Sequence, residues 1–68
     1  MIVHKMISTT NERFKYLEGT TGLLTYDTAY NVYWFNNFHT SHVVSVKETK
    51  TRITIKTLNS VYKFKKVA

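Results

Sequence analysis

Basic residues that could bind a polyanion alternate with apolar residues through the last third of this sequence. Residues 42–48, 52–57 and 61–66 each alternate with period two, so successive side chains point to opposite faces of a strand. One face would carry Val44, Val46, Ile53, Ile55, Tyr62 and Phe64. The other would carry Lys47, Arg52, Lys56, Lys63 and Lys65, with Lys50 and Lys66 as supporting charges. The pattern predicts a three-stranded meander with one basic face.

The excess positive charge is confined to this half of the sequence. The chain has 68 residues and a net charge of +6, and residues 35–68 hold seven basic side chains against Glu48 alone. In residues 1–34 three basic and three acidic side chains cancel. This asymmetry indicates an anionic partner, although net charge also keeps a small domain soluble. On the predicted face Lys outnumbers Arg by four to one, which favours attraction to phosphates over readout of bases.

Residue patterns for catalysis or metal binding are weak. The four carboxylates are scattered, and no Ser, His and acid are spaced as a triad. His39 and His42 are three residues apart but lack a nearby third ligand, and His4 is remote in sequence. The chain has no Cys, which excludes disulfides and thiolate ligands. We therefore expect a protein that is not an enzyme, with no catalytic residue, no cofactor and no metal.

Aromatic residues have two interpretations. Trp34 and at least half of the other rings in residues 26–38 are expected to form the core that so short a chain needs. Alternatively, a few exposed rings stack on bases beside the basic strands. Tyr26 and Tyr30 flank a turn and are the best candidates for such stacking.

Short strands with turn signals at regular spacing predict an all-β domain. We expect a five- or six-stranded antiparallel barrel or curved sheet, with at most one short helical turn. Residues 13–17 favour a strand, but Thr9 and Glu12 have capping-box spacing, which leaves a helical turn open. The predicted core consists of Leu24, Trp34, Val44, Val46, Ile53, Ile55, Tyr62 and Phe64.

The small core and the lack of long apolar segments also allow expectations about assembly and location. A single domain spanning residues 1–68 without disulfides is only marginally stable, which favours a homodimer over a monomer. No segment approaches the roughly 20 apolar residues of a membrane span. The first residues also lack the apolar region of a signal peptide. We expect a soluble, cytoplasmic protein that does not contact membranes.

Two stretches resemble known groups of proteins. The Gly-containing bend at residues 19–24 is similar to that of KOW and Tudor-type domains, and the order of elements resembles an SH3-like barrel. Residues 39–64 have a Thr-Ser start and a Thr-x-Asn-Ser-x-Tyr hairpin, and they resemble the tails of short phage-encoded accessory proteins. This second resemblance implies a host-takeover or anti-defence role, in which the protein binds a host macromolecule. It transfers no functional residue.

Two functions from different classes fit these patterns. The first is binding of nucleic acid, with RNA preferred, through the Lys-rich face with little sequence specificity. The alternative is a phage-type inhibitor that binds and blocks an acidic host protein, through the same face or the aromatic residues 26–38. In that case the protein would act in the cytoplasm of the host cell.

Overall fold

Seven strands and one 3₁₀ helix follow one another in the computed structural model, which describes residues 2–67. They are β1 (Val3–Thr9), the 3₁₀ helix (Glu12–Leu17), β2 (Thr21–Asp27), β3 (Val32–Phe35), β4 (Phe38–His39), β5 (Val43–Glu48), β6 (Arg52–Thr57) and β7 (Val61–Lys66). Within these residues no helix is long and apolar enough to cross a membrane.

All neighbouring strands are antiparallel and form one sheet in the order β4-β3-β2-β1-β7-β6-β5. The all-β, antiparallel prediction is therefore confirmed. The strand count is seven instead of five or six, and the sheet is not closed into a barrel, because β4 and β5 form its two edges. Of the two expected forms, the closed barrel was therefore wrong, whereas the alternative of a curved sheet does not require closure.

The strand β2 divides the sheet into two layers. Residues 21–23 pair with β1, whereas residues 24–27 pair with β3. The larger layer thus contains the start of β2 together with β1, β7, β6 and β5, and the smaller layer contains the end of β2 with β3 and β4. Below, the inner faces are those that the layers turn toward each other, and the outer faces are the opposite ones.

Aromatic rings join the inner faces of the two layers. The ring centroids of Phe35 and Phe64 are 4.9 Å apart, and those of Phe38 and Tyr62 are 5.5 Å apart. Each pair unites the smaller layer with β7, and such tilted pairs stabilise a core beyond the area they bury. The buried cluster comprises Met6, Phe35, Phe38, Ile53, Ile55, Tyr62 and Phe64.

The 3₁₀ helix covers one end of this core. Asn11 caps it, because the side-chain Oδ1 accepts a hydrogen bond of 3.0 Å from the backbone N–H of Arg13. Phe14 packs on Phe38, with centroids 4.2 Å apart. The strand favoured for residues 13–17 was therefore wrong and the helical alternative is confirmed, although Asn11 provides the cap in place of Thr9.

Three of the predicted core residues are exposed. Trp34 lies on the outer face of the smaller layer because its neighbour Phe35 occupies the inner position. Val44 is the extra residue of a bulge between Val43 and Ser45. Val46 shares the inner face with Ile55, but β5 is an edge strand and Val46 stays 42% exposed. The remaining core predictions are confirmed: Ile53, Ile55, Tyr62 and Phe64 are buried, and Leu24 packs against this cluster.

Matched threonine substitutions should separate the true core from its predicted extension. Ile55→Thr places an unpaired hydroxyl in a fully buried site and should lower the free energy of unfolding by more than about 2 kcal/mol. Val46→Thr keeps a β-branched side chain at a partly exposed edge. It should change the free energy of unfolding by less than about 0.5 kcal/mol. Urea unfolding measures both values. Similar losses in the two variants would show that Val46 belongs to the core.

Candidate nucleic-acid interface

Six cations lie on the outer face of the larger layer, which we call the basic face. Its members are Lys5, Lys47, Arg52, Lys56, Lys63 and Lys65, and all are exposed. Strand register places them in three rows that run across the strands. Direct partners on one face have Cβ atoms about 4.5–5.5 Å apart, so each row brings its side chains close together.

The first row is a chain of three cations. Lys65 on β7 lies opposite Lys5 on β1 and also opposite Arg52 on β6. Like charges in directly opposite positions destabilise a sheet. The arrangement therefore carries an electrostatic cost that an anion on this face would remove.

The other rows extend the charge toward β5. In the second row Thr54 separates Lys63 from Lys47. In the third row Lys56 lies between Ser45 and Val61. The five cations that the alternation assigned to one face thus do share it, and they continue over β7, β6 and β5.

Carboxylates are absent from the basic face as far as residues 2–67 show. The two salt bridges described there are elsewhere: Lys15 with Glu18 at the 3₁₀ helix, and Lys66 with Glu48 on the inner face of the larger layer. The Nζ of Lys66 is 2.9 Å from Glu48 Oε2. Lys66, which was expected to support the binding face, therefore lies outside the basic face, and its charge is paired on the opposite face of the layer.

Three other predicted residues lie outside the basic face. Lys50 is exposed in the turn between β5 and β6, beside the end of the face. Tyr26 is on the inner face of the smaller layer, where its ring packs on Tyr33 and its hydroxyl donates to Asn31 Oδ1 at 2.6 Å. Tyr30 is 70% exposed in the turn between β2 and β3.

One member of the basic face was missed by sequence reasoning. Lys5 shares one face of its segment with Val3 and Ile7, and both faces of that segment carry apolar residues, so its pattern did not specify an outer side. Its place opposite Lys65 depends on the pairing of β1 with β7, which are almost a full chain length apart in sequence. No local signal encodes that pairing.

A second surface collects aromatic residues on the outer side of the smaller layer. We call it the aromatic groove, a hollow of about 320 Å³ lined by Tyr30, Val32, Trp34, His39 and His42. Trp34 is 40% exposed, and its ring lies 4.8 Å from that of His39. From the sequence, His39 and His42 were considered as metal ligands or as ordinary hydrogen-bonding histidines, and not as part of an aromatic surface. Residues 2–67 contain no group of three or more His, Cys, Asp or Glu that could hold a metal ion.

Two groups with shifted pKa values lie on the inner faces. Burial lowers the pKa of His4 and the nearby charge of Lys66 lowers it further, whereas a backbone hydrogen bond at Ile2 and the Glu48 carboxylate partly offset these effects. Burial also raises the pKa of Tyr33, and the Glu48 carboxylate adds to that shift. Both side chains are therefore mostly neutral at pH 7 and add no charge to either outer surface.

Comparison with known proteins adds no relative: no family model, no curated protein and no solved structure matches the chain. The function is therefore argued from the geometry of the two outer surfaces.

Removing the central cation of the first row should stabilise the protein. Lys65→Gln eliminates two like-charge contacts, each worth a few tenths of a kcal/mol. The melting temperature should rise by about 2–4 °C at low salt. The gain should vanish in about 1 M salt, where the Debye length is only about 3 Å. Thermal unfolding at the two salt concentrations measures the effect.

Lys66→Gln is the matched control, because it removes a neighbouring lysine that is paired with Glu48. This variant should be slightly less stable than the parent at low salt. A lower melting temperature for Lys65→Gln at low salt would contradict the electrostatic cost assigned to the row.

Proposed function

We propose that this chain is a non-enzymatic, cytoplasmic protein that binds nucleic acid, RNA or other single strands, through its basic face. The observation that carries the proposal is the row formed by Lys5, Lys65 and Arg52, in which three cations are direct neighbours without a carboxylate among them. A polyanion would turn this unfavourable arrangement into a favourable one, since phosphates bind Lys and Arg and release their counterions.

The dimensions of the face suit a phosphate backbone. Rows two residues apart along the strands are separated by about 7 Å, so three rows span about 14 Å. One strand of a duplex carries about four phosphates over that length. A backbone that crosses the rows would therefore meet several cations in succession.

The composition of the face favours binding without sequence specificity. Five of its six cations are lysines, and an ammonium group attracts phosphate as a point charge without a bidentate geometry. Contacts to phosphates position a nucleic acid but carry no sequence information. Arg52 is the one side chain on the face with a guanidinium fork.

Neutralising two lysines of the face should weaken binding and reduce its salt dependence. In Lys56→Gln/Lys63→Gln the affinity for a single-stranded oligonucleotide should fall about tenfold or more at low salt. The log–log slope of affinity against salt should become less steep by about 1.4, because each lost contact contributes about 0.7. Fluorescence anisotropy over a salt series measures both quantities.

Arg13→Gln/Lys15→Gln is the charge-matched control. Both side chains belong to the 3₁₀ helix, so the net charge falls by the same amount while the basic face is unchanged. This control should bind with nearly the parent slope. Equal losses in the two double variants would mean that net charge alone, and not the face, determines binding.

A second candidate is the inhibitor that binds a host protein, as the resemblance to phage accessory proteins implies. A hollow of about 530 Å³ between the 3₁₀ helix and the β3–β4 turn favours it, because aromatic side chains there have a polar rim of Asn36 and Asn37. Apolar anchors with a polar surround are typical of protein hot spots.

A capture experiment from lysate after nuclease treatment tests this candidate. Recovery of a protein in stoichiometric amount with this chain would favour it; capture of nucleic acid alone would exclude it.

The homodimer expected from the short core is a further part of the proposal. The edge strand β5 has five exposed residues, among them Val44 and Val46, and an unpaired apolar edge is a template for another strand. Pairing of two β5 edges would bring two basic faces side by side.

Light scattering at about 100 µM should give twice the mass of one chain, because mass action favours the dimer at high concentration. The mass of one chain at that concentration would contradict it.

A further inference from the structure

The aromatic groove is built from segments that are held rigidly together. The Asp27 carboxylate accepts hydrogen bonds from Trp34 Nε1 at 3.3 Å and from the backbone N–H groups of Ala29 and Tyr30 at 2.9 and 3.2 Å. One carboxylate therefore fixes the indole ring and the turn that carries the Tyr30 ring. Two walls of the groove are positioned before any ligand arrives.

The third wall is fixed through Asn31. This residue has a positive φ of 54°, which asparagine tolerates better than most residues. Its backbone C=O accepts from Val43 N at 2.9 Å, and its side-chain Nδ2 donates to Val43 O at 3.1 Å. His42, the residue before Val43, is thereby held beside the turn between β2 and β3. Preorganised walls reduce the entropy that a ligand loses on binding.

The junction of Asn31 with Val43 also connects the groove to the basic face. It brings the turn between β2 and β3 against the start of β5, the edge strand of the larger layer, and His42, which precedes β5, lines the groove. From His42 the chain reaches Ser45, the partner of Lys56, within three residues, a distance of at most about 10 Å. A strand whose phosphates lie on the third row can extend into the groove.

We propose that the aromatic groove holds an unpaired nucleobase, stacked on Trp34 and Tyr30, from the same strand whose phosphates lie on the basic face. This inference rests on the proposed function. The lining consists of aromatic, imidazole and aliphatic groups, and the Asp27 carboxylate is engaged in three hydrogen bonds. Flat, half-exposed rings beside a cationic track are the arrangement in which proteins stack single-stranded bases irrespective of sequence.

Stacking requires a base that is free of its partner strand, so the groove selects single strands over duplexes. Stacking on a base would also account for the exposure of Trp34, the only tryptophan of the chain, although its size favours burial. The hollow next to the 3₁₀ helix shares His39 with the groove, but no cation of the basic face lines it. We assign no base to it.

The test compares two probes of equal length: a single-stranded oligouridylate and the same backbone without bases. Because Trp34 is the only tryptophan, its fluorescence reports on the groove directly. The oligouridylate should quench Trp34 and bind at least about fivefold more tightly than the abasic probe. Tyr30→Ala should weaken binding of the oligouridylate by a similar factor and leave the abasic probe unchanged.

Tyr16→Ala is the matched control, since Tyr16 is 74% exposed on the 3₁₀ helix and should affect neither probe. Equal affinity for the two probes without quenching overturns the groove assignment and leaves the proposed function intact. Failure of both probes to bind overturns the proposed function together with this inference. Capture of a partner protein from lysate provides a further readout. If the parent protein captures a partner that Tyr30→Ala no longer captures, while the affinity of this variant for the oligouridylate is unchanged, the groove binds protein and the inference is overturned.

Discussion

The packing of Phe35 and Phe38 against Phe64 and Tyr62 is the contact on which the rest of the molecule depends. It joins two layers that share only β2, and so gives a chain without disulfides a buried core. Because the inner faces are occupied by these rings, the alternate residues of the same strands must face outward. The basic face and the exposed Trp34 are both consequences of that alternation.

Charged side chains are arranged differently on the two faces of the larger layer. On the inner face Glu48 neutralises Lys66, and His4 is kept mostly neutral by burial. On the outer face like charges are neighbours and remain uncompensated. Net charge alone does not require this division, because the same residues could have been interspersed with acids. The proposed anionic partner would account for this division.

Period-two alternation was sufficient to predict β6 and β7, because Ile53, Ile55, Tyr62 and Phe64 are inward residues of central strands. The same rule failed for Val44 and Val46, since a bulge and an edge position are set by partners distant in sequence. Trp34 was expected in the core because so short a chain needs aromatic rings there, but only the course of the smaller layer determines which side is covered. Five cations of the basic face were therefore predictable, whereas Lys5 and the aromatic groove required the pairing of distant segments.

Binding of a polyanion by the basic face can be tested residue by residue. Isotope-labelled protein is titrated with a single-stranded oligonucleotide, and the amide chemical shifts are followed. If the basic face binds the oligonucleotide, the largest shifts should lie along β1, β7 and β6, at Lys5, Lys65 and Arg52, with little change in the 3₁₀ helix. Shifts confined to the helix and the β3–β4 turn, with those three amides unmoved, would contradict it.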